Sequence, residues 1–519
     1  MLPKTCPMVR FPAGQVCSVA LLALLVGCGT TVPTSQQAGY GTGGGSSLVD
    51  GSSTSGGSTG GTTAGLDGSS SGGGTGGTTG TGGSGTSGGS GTGTTTGPGT
   101  SGTGGIDGST SGAVGTTSGG GGPTNTAPLK VGVFYLNGGN QVISSAFPGS
   151  SVSFGDGKRE ATAIIDDINK RHLAGAHKLV PVWVAIEATD NDAARQQKCL
   201  GAVQDNHPVA LMAIFNLTEG LAKCVQQSNT LMIDVALGAG DEHLYSQAKN
   251  LAFSPSQMTR DAEQKLVLTL AHQQGKLPAG KTVGLIDQSD DPMYPRVMRN
   301  TVIPLLKSWG VPYIEQSLSS GSDTSGMNNA VLKFKTSKVD TVVFSLGSGG
   351  IPEVLFMQSA DQQQFRPAYL MGDSTDTNFV GSQAPDAQIK RISGAGTYPL
   401  ANVQADQYPS SPNEKKCLAV LNKAIGGYNS RYSSLTGTLY CEILYSFAFV
   451  ASKTSGVVTS SAWSQTFHGL GSAYQPVTTF STLFRPGRPD GASGYRALGY
   501  SAACNCITYT SPVHAVPAS

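Results

Sequence analysis

The chain reads as an α/β protein of two doubly wound parallel-sheet lobes behind a long disordered linker. Three observations predict this. Short apolar runs alternate with helices of ten or more residues from residue 129 to 371, and the alternation restarts near residue 252. Half of the chain's 74 glycines, 37 of them, fall between residues 31 and 122, a stretch with no Lys or Arg and only Asp50, Asp67 and Asp107 as acids. Such a segment cannot bury enough apolar surface to offset the entropy of ordering. The remaining 392 residues (128–519) carry 31 Lys+Arg against 29 Asp+Glu, enough chain for two lobes and too neutral to favour nucleic acid as a partner.

Leu129–Tyr135 is the first strand, stopped by Asn137-Gly138-Gly139-Asn140. Ala161, Ile164, Ile165 and Ile168 recur at helical spacing after Gly157. A strand over Lys178–Ala188, a helix over Ala193–Gln204, a buried strand over Val209–Phe215, a helix over Thr218–Ser228 and a strand over Thr230–Val235 complete the first series. The second series runs helix Arg260–Gln274, strand Lys281–Asp287, helix Pro295–Trp309, strand Pro312–Ile314, helix Ser325–Lys335, strand Thr341–Leu346, helix Pro352–Gln362 and strand Ala368–Met371. Ligands of such sheets are expected where strand C-termini face a crevice.

The N-terminus gives an address. Lys4 and Arg10 precede the apolar run Val19–Val26, which is too short to span a bilayer and has the layout of a secretory signal over residues 1–27. Leu25-Val26-Gly27-Cys28 resembles the lipobox of bacterial lipoproteins, which implies a lipidated Cys28 and a membrane anchor. Residues 28–127 then form the tether, with a mean reach of roughly 50–60 Å as a Gly/Ser-rich coil. Six cysteines remain beyond it, an even number that reads as disulfides in an exported protein. The separations of Cys199 from Cys224 (25) and of Cys417 from Cys441 (24) suit neighbouring helices. Cys504 and Cys506 either pair with each other or exchange partners with Cys417 and Cys441. Of these pairings the sequence assigns only Cys199–Cys224.

Several motifs imitate known chemistry. Gly275–Thr282 fits G-x-x-x-x-G-K-T, but a helix enters it and a strand leaves it, the reverse of a phosphate loop, and Pro278 removes an N–H. Gly85-Thr86-Ser87-Gly88-Gly89 fits a nucleophile elbow only inside the linker. His172 and His177 share no helix face, and Asp166-Asp167 and Asp290-Asp291 read as solvated acids. No catalytic constellation and no cofactor motif emerges, so a cell-wall enzyme is the weaker reading.

The order of elements resembles the type I periplasmic binding proteins, in the branched-chain amino-acid/amide branch that serves ABC importers. The resemblance rests on Leu129–Tyr135, on Phe154-Gly155-Asp156-Gly157 opening a helix that ends Ile165-Asp166-Asp167-Ile168-Asn169, and on Glu187–Ala193, similar to an acidic turn of that family. The Cys199–Cys224 spacing is similar to a disulfide of several members. The resemblance covers about 128–510 and implies two lobes joined by a hinge of three crossovers, 128–251 with 376–450 and 252–375 with 451–519. It implies ligand contacts from Asn216, Leu217, Thr218 and Ala236 in the first lobe, and from Gln288, Asp290, Tyr294, Ser345, Gly347 and Asp373 in the second. Thr218 and the N–H groups at its helix start would hold a ligand carboxylate, Asp290 or Asp373 an ammonium, and Tyr294 would cover the ligand. Phe215–Thr218 departs from the family's Ser-rich loop, so the ligand is expected among small polar molecules more widely. The implied partners are that ligand and an ABC permease, or, for a receptor without a transporter, another membrane protein.

Overall fold

The computed structural model describes residues 126–146, 153–235, 238–347, 349–372, 377–398, 410–431, 433–434 and 436–517. The expected signal, Cys28 and the expected tether up to residue 125 lie outside them.

The first sheet contains β1 (Leu129–Asn137), β2 (Leu179–Glu187), β3 (Ala210–Ala213), β4 (Leu231–Asp234) and β5 (Ala252–Phe253). All are parallel, in the order β2-β1-β3-β4-β5. Its helices are α1 (Gly139–Ala146), α2 (Gly157–Lys170), α3 (Asp192–Asn206), α4 (Glu219–Ser228) and α5 (Glu242–Gln247). The second sheet starts with α6 (Arg260–Gln273) and β6 (Thr282–Gln288) and continues through α7 (Met293–Val297) and α8 (Ile303–Ser308) to β7 (Tyr313–Leu318). It goes on with α9 (Thr324–Thr336), β8 (Val339–Ser345), α10 (Ile351–Gln362), β9 (Ala368–Met371), α11 (Thr377–Gln383), α12 (Asp386–Ile389) and β10 (Ile392–Gly396). The chain then forms α13 (Pro412–Ala424), α14 (Gly437–Lys453) and α15 (Ser460–Gly469), and ends in β11 (Gly494–Ser501), β12 (Cys506–Tyr509) and β13 (His514–Ala515). The path of the second sheet is β12-β11-β10-β9-β8-β6-β7, antiparallel only where β11 joins it.

Local chemistry explains the element ends. Asp156, Asn191, Thr218, Asp241, Thr259 and Asp323 each accept a hydrogen bond from a first-turn N–H of the helix they precede. The helix expected over Pro295–Trp309 is interrupted by a π-turn, Met298–Val302. Pro304 follows it and lacks the N–H that a regular helix would donate there. Helix α6 runs into Gly275 at φ +69° and β6 opens at Thr282, so the Gly275–Thr282 segment joins helix to strand as its order predicted.

Strand pairing moves two lobe boundaries. Residues 377–396 were expected in the first lobe, yet β10 pairs with β9 and β11 in the second sheet. The stretch 451–484 was expected in the second lobe, yet Trp463, Phe467, Tyr474, Val477 and Phe484 are buried in the first core. That placement follows from aromatic stacking of Phe467 on Phe484 (4.2 Å) and of Trp463 on Phe447 (5.8 Å). Disulfides join Cys199 to Cys224, Cys417 to Cys441 and Cys504 to Cys506, which settles the pairing of the last four. The first bond ties α3 to α4 and the second ties α13 to α14. Among the described residues no helix is long and apolar enough to cross a membrane.

Candidate functional site

In each sheet, one pair of neighbouring strands sends its following helices to opposite faces, and the loops beyond their C-terminal ends diverge around a crevice. In the first sheet that point lies between β1 and β3, and in the second between β6 and β8. The two edges meet. Arg296 of α7, beyond β6, donates from Nη1 to Glu219 Oε1 (2.8 Å) at the start of α4, beyond β3. Its Nε and Nη2 reach the two oxygens of Asp241 at 2.5 and 3.1 Å, a bidentate pair on a carboxylate that is itself buried. On the same helix Met293, Tyr294 and Val297 are buried within the first core.

Two crossovers run side by side beneath this seam. Ser254 N–H donates to the Pro489 carbonyl (2.8 Å) and Gly491 N–H to the Ser254 carbonyl (2.9 Å), while the hydroxyls of Ser256 and Thr478 are 2.9 Å apart. Asp234, at the end of β4, is buried behind the loop that carries Asn216–Thr218. Tyr245 donates to its two oxygens at 3.2 and 3.0 Å, and the Leu217 N–H also bonds to it. Burial outweighs those bonds and raises its pKa to about 7.

The expected site residues fall into three groups. Ala236 and Asp373 lie outside the described residues. Gln288, Asp290 and Gly347 form one network, in which Gln288 Nε2 donates to Asp290 Oδ1 (2.8 Å) and Gln288 Oε1 accepts from Gly347 N–H (2.5 Å). Ser345 donates to the Tyr294 carbonyl (3.1 Å). The Tyr294 ring packs inward, against the first core and under Arg260, and burial lifts its hydroxyl pKa to about 12. A ring so buried joins the lobes by packing, where it was expected to close over a ligand.

Asn216, Leu217 and Thr218 are all buried on the first-lobe side. The Asn216 Oδ1 has no hydrogen-bond partner. Thr218 was expected to offer a ligand carboxylate its hydroxyl and the N–H groups behind it. Its hydroxyl instead donates to Asp192 Oδ1, and Gly220 N–H donates to Asp192 Oδ2 at 2.8 Å. The α4 N-terminus is therefore already occupied by a carboxylate of the chain itself. Gly220 is required for that approach, since a Cβ there would lie 2.8 Å from Asp192 Oδ1. Across the seam Asp291 has a raised pKa, first through burial and then through the neighbouring carboxylates of Asp192 and Asp290.

Sequence reasoning passed over Arg260 and Gln264. Both are buried at the N-terminal end of α6, one turn apart on one face. Arg260 Nη1 lies 3.6 Å from Glu263 Oε2, its guanidinium carbon lies 5.5 Å from the Tyr294 ring centroid, and its Nε and Nη2 have no hydrogen-bond partner. Gln264 Nε2 donates to the Phe344 carbonyl (2.9 Å), and its Oε1 has none.

Solved structures resolve the architecture where sequence comparison does not. No family model matches the sequence, and no curated protein matches it. A branched-chain amino acid ABC transporter protein from Thermus thermophilus with bound valine superposes with a TM-score of 0.56 at 16% identity, over 75% of this chain and 97% of that one. The chain has the type I periplasmic-binding-protein fold. A possible leucine/isoleucine/valine-binding protein from Rhodopirellula baltica gives a TM-score of 0.56 at 12% identity, over 75% and 98% of the two chains. A solute-binding protein from R. palustris in complex with 4-hydroxybenzoate gives 0.55 at 13% identity, over 75% and 97%. These identities carry the periplasmic-binding-protein fold and leave the ligand to be argued from this chain's residues.

Proposed function

We propose that this chain is an extracytoplasmic solute-binding lipoprotein, anchored through Cys28 and spaced from the membrane by residues 29–127. Its two lobes take up a small polar ligand, an amino acid, amide or related molecule, and deliver it to an ABC permease. The observation that carries this reading is the meeting of the two switch-point edges, where Arg296 of one lobe grips Glu219 and Asp241 of the other. A ligand held between such edges touches both lobes only when they are together. Its binding energy therefore favours the closed arrangement. The paired crossovers, bonded to each other near Ser254 and Asp490, supply the hinge strands. The protein binds and releases; it performs no reaction of its own.

A thermal-shift panel of amino acids, amides, aromatic acids and sugars tests the reading. One chemical class should raise the unfolding midpoint by several degrees, since ligand at a hundred times its Kd stabilises by about 2.7 kcal/mol. A flat response across the whole panel would contradict it. Globomycin-sensitive processing in a bacterial host, lost in Cys28→Ala, tests the anchor separately.

A further inference from the structure

Resting on the solute-binding reading, we infer that Arg260 is the anion receptor of this protein, and that its ligand is a small carboxylic acid carrying a hydroxyl or ammonium donor.

Arg260 is 1% exposed, and a buried guanidinium requires partners for its five N–H donors. Nη1 lies beside Glu263, and the ring face of Tyr294 covers the group. Nε and Nη2 remain unpartnered. These two nitrogens lie on one edge of the guanidinium, with their N–H bonds nearly parallel. A carboxylate accepts from both at once.

The position of Arg260 is that of a ligand group. Its backbone N–H donates to the Gly240 carbonyl (3.0 Å), in the first-lobe loop that precedes α5. Tyr294, beneath it, comes from α7 and is bonded by Ser345 at the end of β8. Its neighbour Glu263 reaches the end of β9, where a Cβ on Gly372 would lie 2.2 Å from Glu263 Oε1. The guanidinium thus sits where the C-terminal edge of the second sheet meets the first lobe.

Two further buried atoms without partners belong to adjoining segments, and both are acceptors. Gln264 Oε1 lies one turn along α6 from Arg260. Asn216 belongs to the first-lobe loop and precedes Leu217, whose Cβ would be 3.3 Å from a Cβ built on Gly240, the residue that accepts the Arg260 N–H. A molecule that satisfies all of them offers one carboxylate and at least one N–H or O–H. At the first-lobe alternative, the N-terminus of α4, the Thr218 hydroxyl and the Gly220 N–H are already taken by Asp192.

Acid and amide pairs test this on the unmodified protein by titration calorimetry: L-valine with L-valinamide, and 4-hydroxybenzoate with 4-hydroxybenzamide, beside a panel of neutral sugars. The expected result is binding by an acid and at least tenfold weaker binding by its amide. Arg260→Gln should weaken the acid roughly 100-fold, and Arg260→Lys, which keeps the charge and loses the fork, roughly tenfold. Equal binding of acid and amide overturns the inference, as does an Arg260→Gln protein of unchanged affinity. Binding by a neutral sugar alone also overturns it, while leaving the solute-binding reading intact. A protein that binds nothing in either panel ends both. The wild-type comparison decides the matter even if a variant fails to fold.

Discussion

Two helix N-termini approach the seam between the lobes, and they are finished in opposite ways. At α4 the Thr218 hydroxyl and the N–H groups of Gly220, Leu221 and Ala222 are all bonded within the chain. Thr218 caps the helix and gives its hydroxyl proton to Asp192, and Gly220 N–H completes the pair. At α6 the helix is capped by Thr259, but the first side chain inside it, Arg260, keeps two buried N–H groups without partners. A buried donor left unmade costs more than a made bond gains, so the two ends cannot have the same role. The satisfied end holds the fold; the unsatisfied end holds capacity for something the chain itself does not supply.

Changing groups at the two ends should therefore have unequal effects. The largest is expected beside the α4 end, at Asp234 of β4, which accepts the Leu217 N–H one residue before the Thr218 cap. Its pKa is about 7 in the folded protein against an ordinary 3.8, so its favourable contribution is complete below pH 4. That contribution is lost as pH rises through about 7, a change of up to about 4 kcal/mol for a shift of this size. Asp234→Asn should remove this slope, so the variant gains on the wild type between pH 4 and pH 8 in urea unfolding. A constant difference across that range would mean that Asp234 does not titrate there.

Next comes Arg296→Ala, which strips the buried Asp241 of its bidentate partner and should cost about 3 kcal/mol. Small-angle scattering should also show a larger radius of gyration for the ligand-free variant. An unchanged radius would mean that this ion pair does not hold the lobes together. Asp192→Ala should follow, at about 2 kcal/mol, because Thr218 and Gly220 are left with unmade bonds. The smallest effect on the ligand-free protein is expected for Arg260→Met, within about 1 kcal/mol of wild type or on the stable side, since it removes an incompletely paired buried charge. If Arg260→Met destabilises more than Asp192→Ala, the contrast between the two ends fails.

Much of the fold was legible because strands such as Ala210–Ala213 and Leu231–Asp234 are buried along their whole length and read as apolar runs. The chain beyond Met371 was harder. Strand β10 is Ile392-Ser-Gly-Ala-Gly, whose small residues carry little pattern, and Gly394 admits no Cβ because Met371 O would lie 1.7 Å away. The candidate site was legible only in part. Loops after strands were found by topology, but Asp192 contacts α4 from 28 residues before Gly220, and no local pattern announces that contact. Arg260 did leave a trace. Arg260, Glu263 and Gln264 continue, at helical spacing, the buried stripe of Val267, Leu268 and Ala271. Polar side chains on an apolar stripe were the signal.

The most direct test is a crystal structure of the protein with the acid that most raises its unfolding midpoint. The ligand should lie between the lobes, its carboxylate on Arg260 Nε and Nη2 and its own donor on Asn216 or Gln264, with Asp192 still held by Thr218 and Gly220. A ligand seated at the α4 N-terminus with Asp192 displaced, or bound away from the seam, would contradict the account.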